Sequence, residues 1–234
     1  MEFQLEQNLI EGNMSLKIVA ISDTHSKHRE LIIPEADVIV CAGDISYKGE
    51  LNIIQDFADW MKELPIKHKL SIFGNHEVGM SCGKKRPKAL KMLKDAGIIY
   101  LEDSGVEIDG VKFWGSPVQP RYYDWEWNRD RGPDINYHWK LIPDDTNVLI
   151  THGPPYGILD LVEDSFENKG RDLHQGCEDL ARRIKQLPEL KAHIFGHLHL
   201  SSGVYKDCAN ITYINAAVCT EQYRVENEPR IINV

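Results

Sequence analysis

Short β-branched runs alternate with helical segments along the first half of the chain. Leu16–Ile21, Val38–Cys41, Leu70–Phe73, Val148–Ile150 and His193–Phe195 have the length and apolar composition of buried strands. Between the second and third, Glu50–Glu63 places Leu51, Ile54, Phe57, Ala58 and Met61 at helical spacing, and Pro65 ends the helix. Pro87–Ala96 predicts a second helix, with Pro87 near its start and Gly97 at its stop. Ile98–Leu101 and Val111–Trp114 read as further strands, and Asp109-Gly110 as a hairpin turn. Gly176–Gln186 predicts the last helix; Val204–Tyr205, Ile211–Asn215 and Arg230–Val234 complete a mostly β C-terminal half. Pro117–Asp145 breaks this rhythm with a dense aromatic–arginine stretch.

At 234 residues the chain suits one domain, expected over residues 14–234 with an aromatic insertion at 117–145. Residues 1–13 are acidic and polar, carry no basic-then-apolar signal pattern, and are set apart as an N-terminal extension expected to lack order; Met14 is an alternative start. No apolar stretch approaches the roughly 18 residues of a membrane helix. The five cysteines, odd in number and without a CxxC pair, read as free thiols in a reduced, cytoplasmic setting. A formal charge of −9 argues against a nucleic-acid polymer as partner and leaves a small phosphate ligand open, because metal ions would reverse the charge inside a cleft.

The five apolar runs share a second property. Each ends in a small residue and then a metal-type ligand: Asp23-Thr24-His25, Gly43-Asp44, Gly74-Asn75-His76-Glu77, Thr151-His152-Gly153 and Gly196-His197-Leu198-His199. Ligands just past strand ends converge on one crevice in an open α/β sheet. Asp, Asn and His together suit borderline-to-hard divalent ions, and so many of them suit two. In extended chain, residues i and i+2 point the same way, so Asp23 with His25, and His197 with His199, can each span two ions about 3.5–4 Å apart. The set reads as a dinuclear metal hydrolase.

In this order, DxH…GD…GNHE…THG…GHxH resembles the calcineurin-like metallophosphoesterase superfamily, from about Leu16 to the C-terminus. Trp114-Gly115-Ser116-Pro117, Thr151-His152-Gly153-Pro154-Pro155 and Ile214-Asn215-Ala216 look like its small metallophosphoesterase-domain subgroup, related to class III cyclic-nucleotide phosphodiesterases. The resemblance implies an α/β fold, a four-layer α/β/β/α sandwich. It implies that Asp23, His25, Asp44 and His199 hold one metal and that Asp44, Asn75, His152 and His197 hold the other, Asp44 bridging. His76 would be the catalytic histidine that contacts the phosphate and leaving group. The cofactors would be two divalent transition-metal ions, Mn²⁺ and/or Fe, with Zn²⁺ or Co²⁺ as alternatives. Phosphodiesters such as cyclic nucleotides would be hydrolysed by a metal-bridging hydroxide. A nucleotide or general phosphomonoesterase is the alternative enzyme; a low-turnover metal-bound nucleotide sensor or scaffold is the alternative of another class.

Departures from the family pattern bear on the site. Asp44 is followed by Ile45-Ser46-Tyr47-Lys48 where protein phosphatases carry a VDRG-like segment, so the carboxylate that orients their GNH histidine has no match. Glu77 stands where many members have Asp and receives no metal role. His197 stands where some members of the subgroup carry Gly, so the ligand set here is complete. Outside the motifs, Arg121, Trp125, Trp127 and His174 are candidate substrate-binding residues, and Arg129 and Arg131 candidate phosphate clamps. His28, His68, His138 and His193 read as surface or strand residues.

Overall fold

Alternation along the strands builds the layers of this protein. The computed structural model describes residues 15–164, 169–170 and 172–234, so the N-terminal segment 1–13 lies outside them. One sheet has the order β13 (Arg230–Asn233), β1 (Lys17–Ile21), β2 (Val38–Cys41), β3 (His68–Ser71), β4 (Ile98–Tyr100). Its strands are parallel except β13. The other has the order β11 (Gly203–Lys206), β12 (Thr212–Asn215), β10 (Ala192–Phe195), β9 (Val148–Thr151), β6 (Val111–Ser116), β5 (Ser104–Ile108). There only the two outermost pairings are antiparallel.

Val19, Ile21, Ile39 and Cys41 turn outward onto Ile54, Phe57 and Met61 of α1 (Leu51–Glu63) and onto Ala89 and Leu93 of α2 (Arg86–Asp95). Their neighbours Ile18, Ala20, Val38 and Val40 turn inward and meet Phe113, Val148, Ile150, Ala192, Ile194 and Ile214 of the second sheet. That sheet's outer residues Leu149, Phe195 and Tyr213 pack on Ile135 and Trp139 of α3 (Pro133–Trp139) and Leu180 and Ile184 of α4 (Glu178–Ile184). The period-two exchange of faces thus gives the expected α/β/β/α sandwich. Both central sheets are covered on both faces, which is why their strands carry near-continuous apolar runs.

The helix signals act as read. Leu64 is extended at ψ 132° ahead of Pro65, and Gly97 at φ 76° donates its N–H to the Lys94 carbonyl. Asp109 (φ 46°) and Gly110 (φ 82°) both turn left-handed between β5 and β6, the requirement of a type I′ hairpin. β3 ends two residues before the apolar run does. Ile72 and Phe73 stay buried, and the Ile72 N–H donates to the Cys41 carbonyl while the chain leaves the sheet. The 117–145 stretch contains the short β7 (Gln119–Pro120) and β8 (Asn128–Arg129) as well as α3, whose Trp139 and Ile135 belong to the core. All five cysteines are free, with Cys41, Cys177 and Cys219 buried. Among the described residues no helix is long and apolar enough to cross a membrane.

Candidate metal centre

The loops that leave β1, β2, β3, β9 and β10 meet at one end of the sandwich, the carboxyl end of every parallel strand concerned. Main-chain bonds lock them together before any side chain is counted. Asp23 N–H donates to the Gly43 carbonyl at 3.0 Å, His25 N–H to Asp44 at 3.1 Å, and Gly196 N–H to His152 at 2.9 Å. Asp23 (φ 54°), His25 (φ 41°), Asp44 (φ 51°) and His197 (φ 69°) are left-handed, a conformation that costs an ordinary residue about 1–2 kcal/mol. Strain gathered on four neighbouring polar residues marks a site whose geometry outweighs local comfort. Gly74 and Gly196 are required by close approach: a Cβ on the first would collide with the Asp44 carboxylate, and on the second with the Asp23 carboxylate.

All seven expected ligands come together there. Asp23, His25 and His199 form one cluster, and Asp44, His152 and His197 another, each with ligand atoms within 4.8 Å of one another. Asp44 lies between them, with Oδ2 3.9 Å from His25 Nε2 and Oδ1 3.3 Å from His152 Nε2. Asn75 Oδ1 is 2.9 Å from His152 Nε2, and His199 Nε2 is 3.2 Å from Asp23 Oδ1. The far ring nitrogens are pinned: His152 Nδ1 bonds the Ala42 carbonyl at 2.8 Å and His199 Nδ1 the Thr220 carbonyl at 3.0 Å. Such bonds fix the ring and turn Nε2 inward, as in metal-binding imidazoles.

The donor set fits divalent cations. Asp23 and Asp44 are buried, and the ion pairs they make are with histidines; no Lys or Arg approaches them among the described residues. Buried carboxylates need a countercharge. Burial holds His25 down at about 4 and His197 at about 3, so both rings offer neutral lone pairs. Burial works against charge on His152 as well, but the Asp44 carboxylate outweighs it and lifts the ring to about 9: without metal, a proton does there what a cation would do. His25 Nδ1 and Asn75 Nδ2 are buried with no partner, a cost consistent with side chains oriented for ligation through their other atoms.

His76 lies beside these clusters. Its backbone N–H donates to Asp44 Oδ1 at 2.9 Å, and its Nε2 is 3.8 Å from Asp44 Oδ2. Its Nδ1 bonds the Tyr47 carbonyl at 2.9 Å. A main-chain oxygen therefore does the orienting that the missing carboxylate does elsewhere. Glu77 has no place among the ligand clusters and a different task. Fully buried, it accepts from Asp44 N–H and Gly74 N–H through Oε2, at 3.0 and 2.8 Å, and from Ser46 N–H and Ser46 Oγ–H through Oε1, both at 3.0 Å. It clasps the loop after β2 to the loop after β3. Burial and the nearby Asp44 carboxylate push Glu77 up to about 8 against the pull of these donors. Glu77→Ala would leave three backbone N–H groups and a hydroxyl unpaired in the interior. The expected loss is about 3 kcal/mol or more in urea unfolding of the metal-free protein, whereas Glu77→Asp should cost less. A loss below about 1 kcal/mol for the alanine variant would remove the clasp.

The cleft above the centre has a volume of about 220 Å³ and is lined by ligands, His76, Tyr122, Leu161, Val162, Leu200, Glu221 and Tyr223. Trp125 borders it through His76, their rings 4.3 Å apart. Trp127 does not: it is buried in the first core cluster, beneath the Arg86 guanidinium at 5.8 Å. Arg121 is exposed and turned onto Asp130, its Nε donating at 2.8 Å. Arg129 bonds His138, and Arg131 bonds the Gln175 and Gly176 carbonyls and Glu178. His174 sits behind the cleft, its Nδ1 2.6 Å from the buried Asp160. Sequence reasoning did not reach Tyr47, Tyr122, Leu161, Leu200, Glu221 or Tyr223. Their side chains carry no ligand pattern, and the Tyr47 contact is made by an atom every residue has.

Two face-packed sheets with a shared Asp between two Asp/His clusters at their common carboxyl end define a metallohydrolase centre. The chain belongs to the calcineurin-like phosphoesterase family, whose model matches residues 16–201, and it is accordingly a metal-dependent phosphoesterase. It is 34% identical to Metallophosphoesterase domain-containing protein 1 of Homo sapiens and of Mus musculus, over 93% of this chain and 71% of each relative. A UPF0046 protein of Caenorhabditis elegans is 35% identical, over 96% of this chain and 77% of its own length. Among solved structures, TT1561 of Thermus thermophilus shares the fold at 14% identity, with a TM-score of 0.57, 86% of this chain and 89% of that one covered.

Proposed function

We propose that this chain hydrolyses phosphodiesters bearing a single negative charge, cyclic nucleotides among them, in one displacement by water. The charge of the cleft carries this reading. Among the described residues that line it there is no Lys or Arg, and Glu221 is one of them. A phosphomonoester dianion is held best by guanidinium groups in bidentate contact. The three arginines nearest in sequence to Trp125 are bonded to partners elsewhere. A diester, with one charge fewer, asks less of the protein. The rings of Tyr122, Tyr223 and Trp125 suit a planar group such as a nucleobase.

Two divalent ions bound here would supply a water of lowered pKa and neutralise charge growing on the phosphoryl oxygens. Asp44 faces both ligand clusters and so sets their separation. Asn75, His152 and His197 on one side, and Asp23, His25 and His199 on the other, complete the sets. His76, with Nδ1–H committed to the Tyr47 carbonyl, keeps Nε2 for a proton shared with the leaving oxygen. No Ser or Cys lines the cleft among the described residues, and burial pushes the thiols of Cys41 and Cys219 up to about 12. A covalent intermediate on a serine or cysteine therefore has no candidate nucleophile there.

The test compares kcat/KM with Mn²⁺ on bis(p-nitrophenyl) phosphate, p-nitrophenyl phosphate and cyclic nucleotides. The diester should be preferred over the monoester by about tenfold or more. A monoester preference would move the reading to a phosphomonoesterase. Nucleotide binding with Mn²⁺ present but no turnover on any ester would move it to a sensor.

A further inference from the structure

Exposed large apolar side chains are scattered over most of this surface, but four of them converge on one place. Leu161 (44% exposed), Leu200 (54%), Tyr122 (43%) and Tyr223 (36%) all line the cleft over the metal centre, together with Val162 and Leu198. An apolar patch at the mouth of an otherwise polar site is a binding surface more often than an accident. We infer that this mouth is a specificity wall selecting phosphodiesters in which one ester group is an uncharged aryl or similarly apolar face. The inference rests on the phosphodiesterase reading and names the substrate class within it.

The wall is built rather than incidental. One hydroxyl holds Leu161 by both main-chain groups: Ser201 Oγ accepts the Leu161 N–H at 2.9 Å and donates to the Leu161 carbonyl at 2.9 Å. Ser201 ends the 3₁₀ turn His199–Ser201, which also carries Leu200, so Leu161 and Leu200 are fixed to the same turn as a metal-cluster histidine. Behind Leu161, the Val162 N–H donates to the Leu173 carbonyl at 3.0 Å, and Leu161 bridges to His174. The base of this segment is tied by the buried Asp160 carboxylate. It accepts from Gly157 N–H at 2.9 Å and Gly176 N–H at 3.0 Å, and lies 2.6 Å from His174 Nδ1. His174 therefore acts as a support for the wall. A segment already ordered spends little entropy when a ligand arrives.

The two tyrosines belong to the same frame. Tyr122 meets His197 edge to face at 5.1 Å, and Tyr223 meets His25 at 4.7 Å and Tyr47 at 5.3 Å. An ester group reaching from the phosphoryl position toward solvent passes between rings and leucines. A second phosphate in the same place would find Glu221 and no Lys or Arg among the described lining residues. Polyphosphate and polynucleotide substrates are thereby disfavoured, and neutral aryl or nucleoside esters are favoured.

Diphenylphosphinate and dimethylphosphinate separate binding from turnover. Both are monoanions like a diester, and neither has a P–O–C bond to cleave. Calorimetry on the Mn²⁺-loaded full chain should show the diphenyl compound bound at least about tenfold more tightly, and Leu161→Asn and Leu200→Asn should each shrink that ratio about fivefold. Both leucines are exposed, so folding is not at risk, and unfolding midpoints check it. A parent ratio within about twofold, or one that neither variant changes, would overturn the wall. Aryl preference without turnover of any diester supports the wall and sinks the hydrolytic reading. Diester turnover without aryl preference does the reverse.

Discussion

Asp44→Asn should strip both ions from the centre together and lower turnover by on the order of 10³–10⁵, the equivalent of several kcal/mol of metal-derived transition-state stabilisation. One Asp44 oxygen faces His25 and the other faces His152, so the carboxylate is common to both clusters. Asn keeps the shape and can still accept the His76 N–H that Asp44 Oδ1 now takes at 2.9 Å, so the fold should stand. It removes the charge that offsets two cations. Elemental analysis should give about two ions per chain for the parent after Mn²⁺ loading and close to none for the variant. The rise in unfolding temperature with added Mn²⁺ should vanish in parallel, because that rise measures binding to the folded state alone. Asp23→Asn and His197→Gly are the contrasts: each has its candidate ligand atoms in one cluster, and each should weaken one ion while the other stays. An Asp44→Asn protein that retains one tight ion would show that the clusters are independent and that Asp44 does not bridge.

The convergence of these Asp, Asn and His side chains was legible because metal chemistry restricts residue type, and strand ends restrict position. The residue types of Asp23, His25, His197 and His199 declare them, and the apolar runs before them declare the strands. The extended geometry expected from their i, i+2 spacing is not what forms. Asp23, His25 and His197 are left-handed and His199 begins a 3₁₀ turn, so Asp23 and His25 share one cluster instead of spanning two. The helix over Leu51–Glu63 and the Asp109-Gly110 hairpin were legible for the same kind of reason, a period or a φ requirement written in the side chains. Where the determinant is not a side chain, sequence is silent. The Tyr47 carbonyl that orients His76 could belong to any residue.

The aromatic–arginine stretch shows a second kind of blindness. Trp125 and Trp127 are two residues apart and would share a face in extended chain. Trp127 is left-handed at φ 61°, so one reaches His76 and the other the core. Arg121, Arg129 and Arg131 look like phosphate clamps until their partners are known. Two of those partners, His138 and Glu178, come from helices α3 and α4. β5 went unread because its positions alternate between solvent and half-burial, with Ser104, Gly105 and Glu107 giving no apolar run.

His76→Ala should lower kcat by on the order of 10²–10⁴ with both ions retained, and the size of the loss should depend on the leaving group. The side chain is fixed at Nδ1 by a neutral carbonyl and presents Nε2 toward the centre, 3.8 Å from Asp44 Oδ2. A ring so placed can give a proton to the departing oxygen. p-Nitrophenolate leaves without help, so the variant should lose least on p-nitrophenyl diesters, about 10²-fold or less. An alkoxide needs its proton, so cyclic nucleotides should show the larger loss, near 10⁴-fold. A purely electrostatic or steric role would reduce both substrates alike. His76 also lies in a cluster with His25 and Asp44 whose atoms could themselves hold an ion, which makes metal content the second readout. If His76→Ala loses an ion, and activity falls only in proportion to occupancy, His76 is a ligand rather than the proton donor. If the ions stay and the loss grows with leaving-group basicity, the proton at Nε2 is the chemistry this residue contributes.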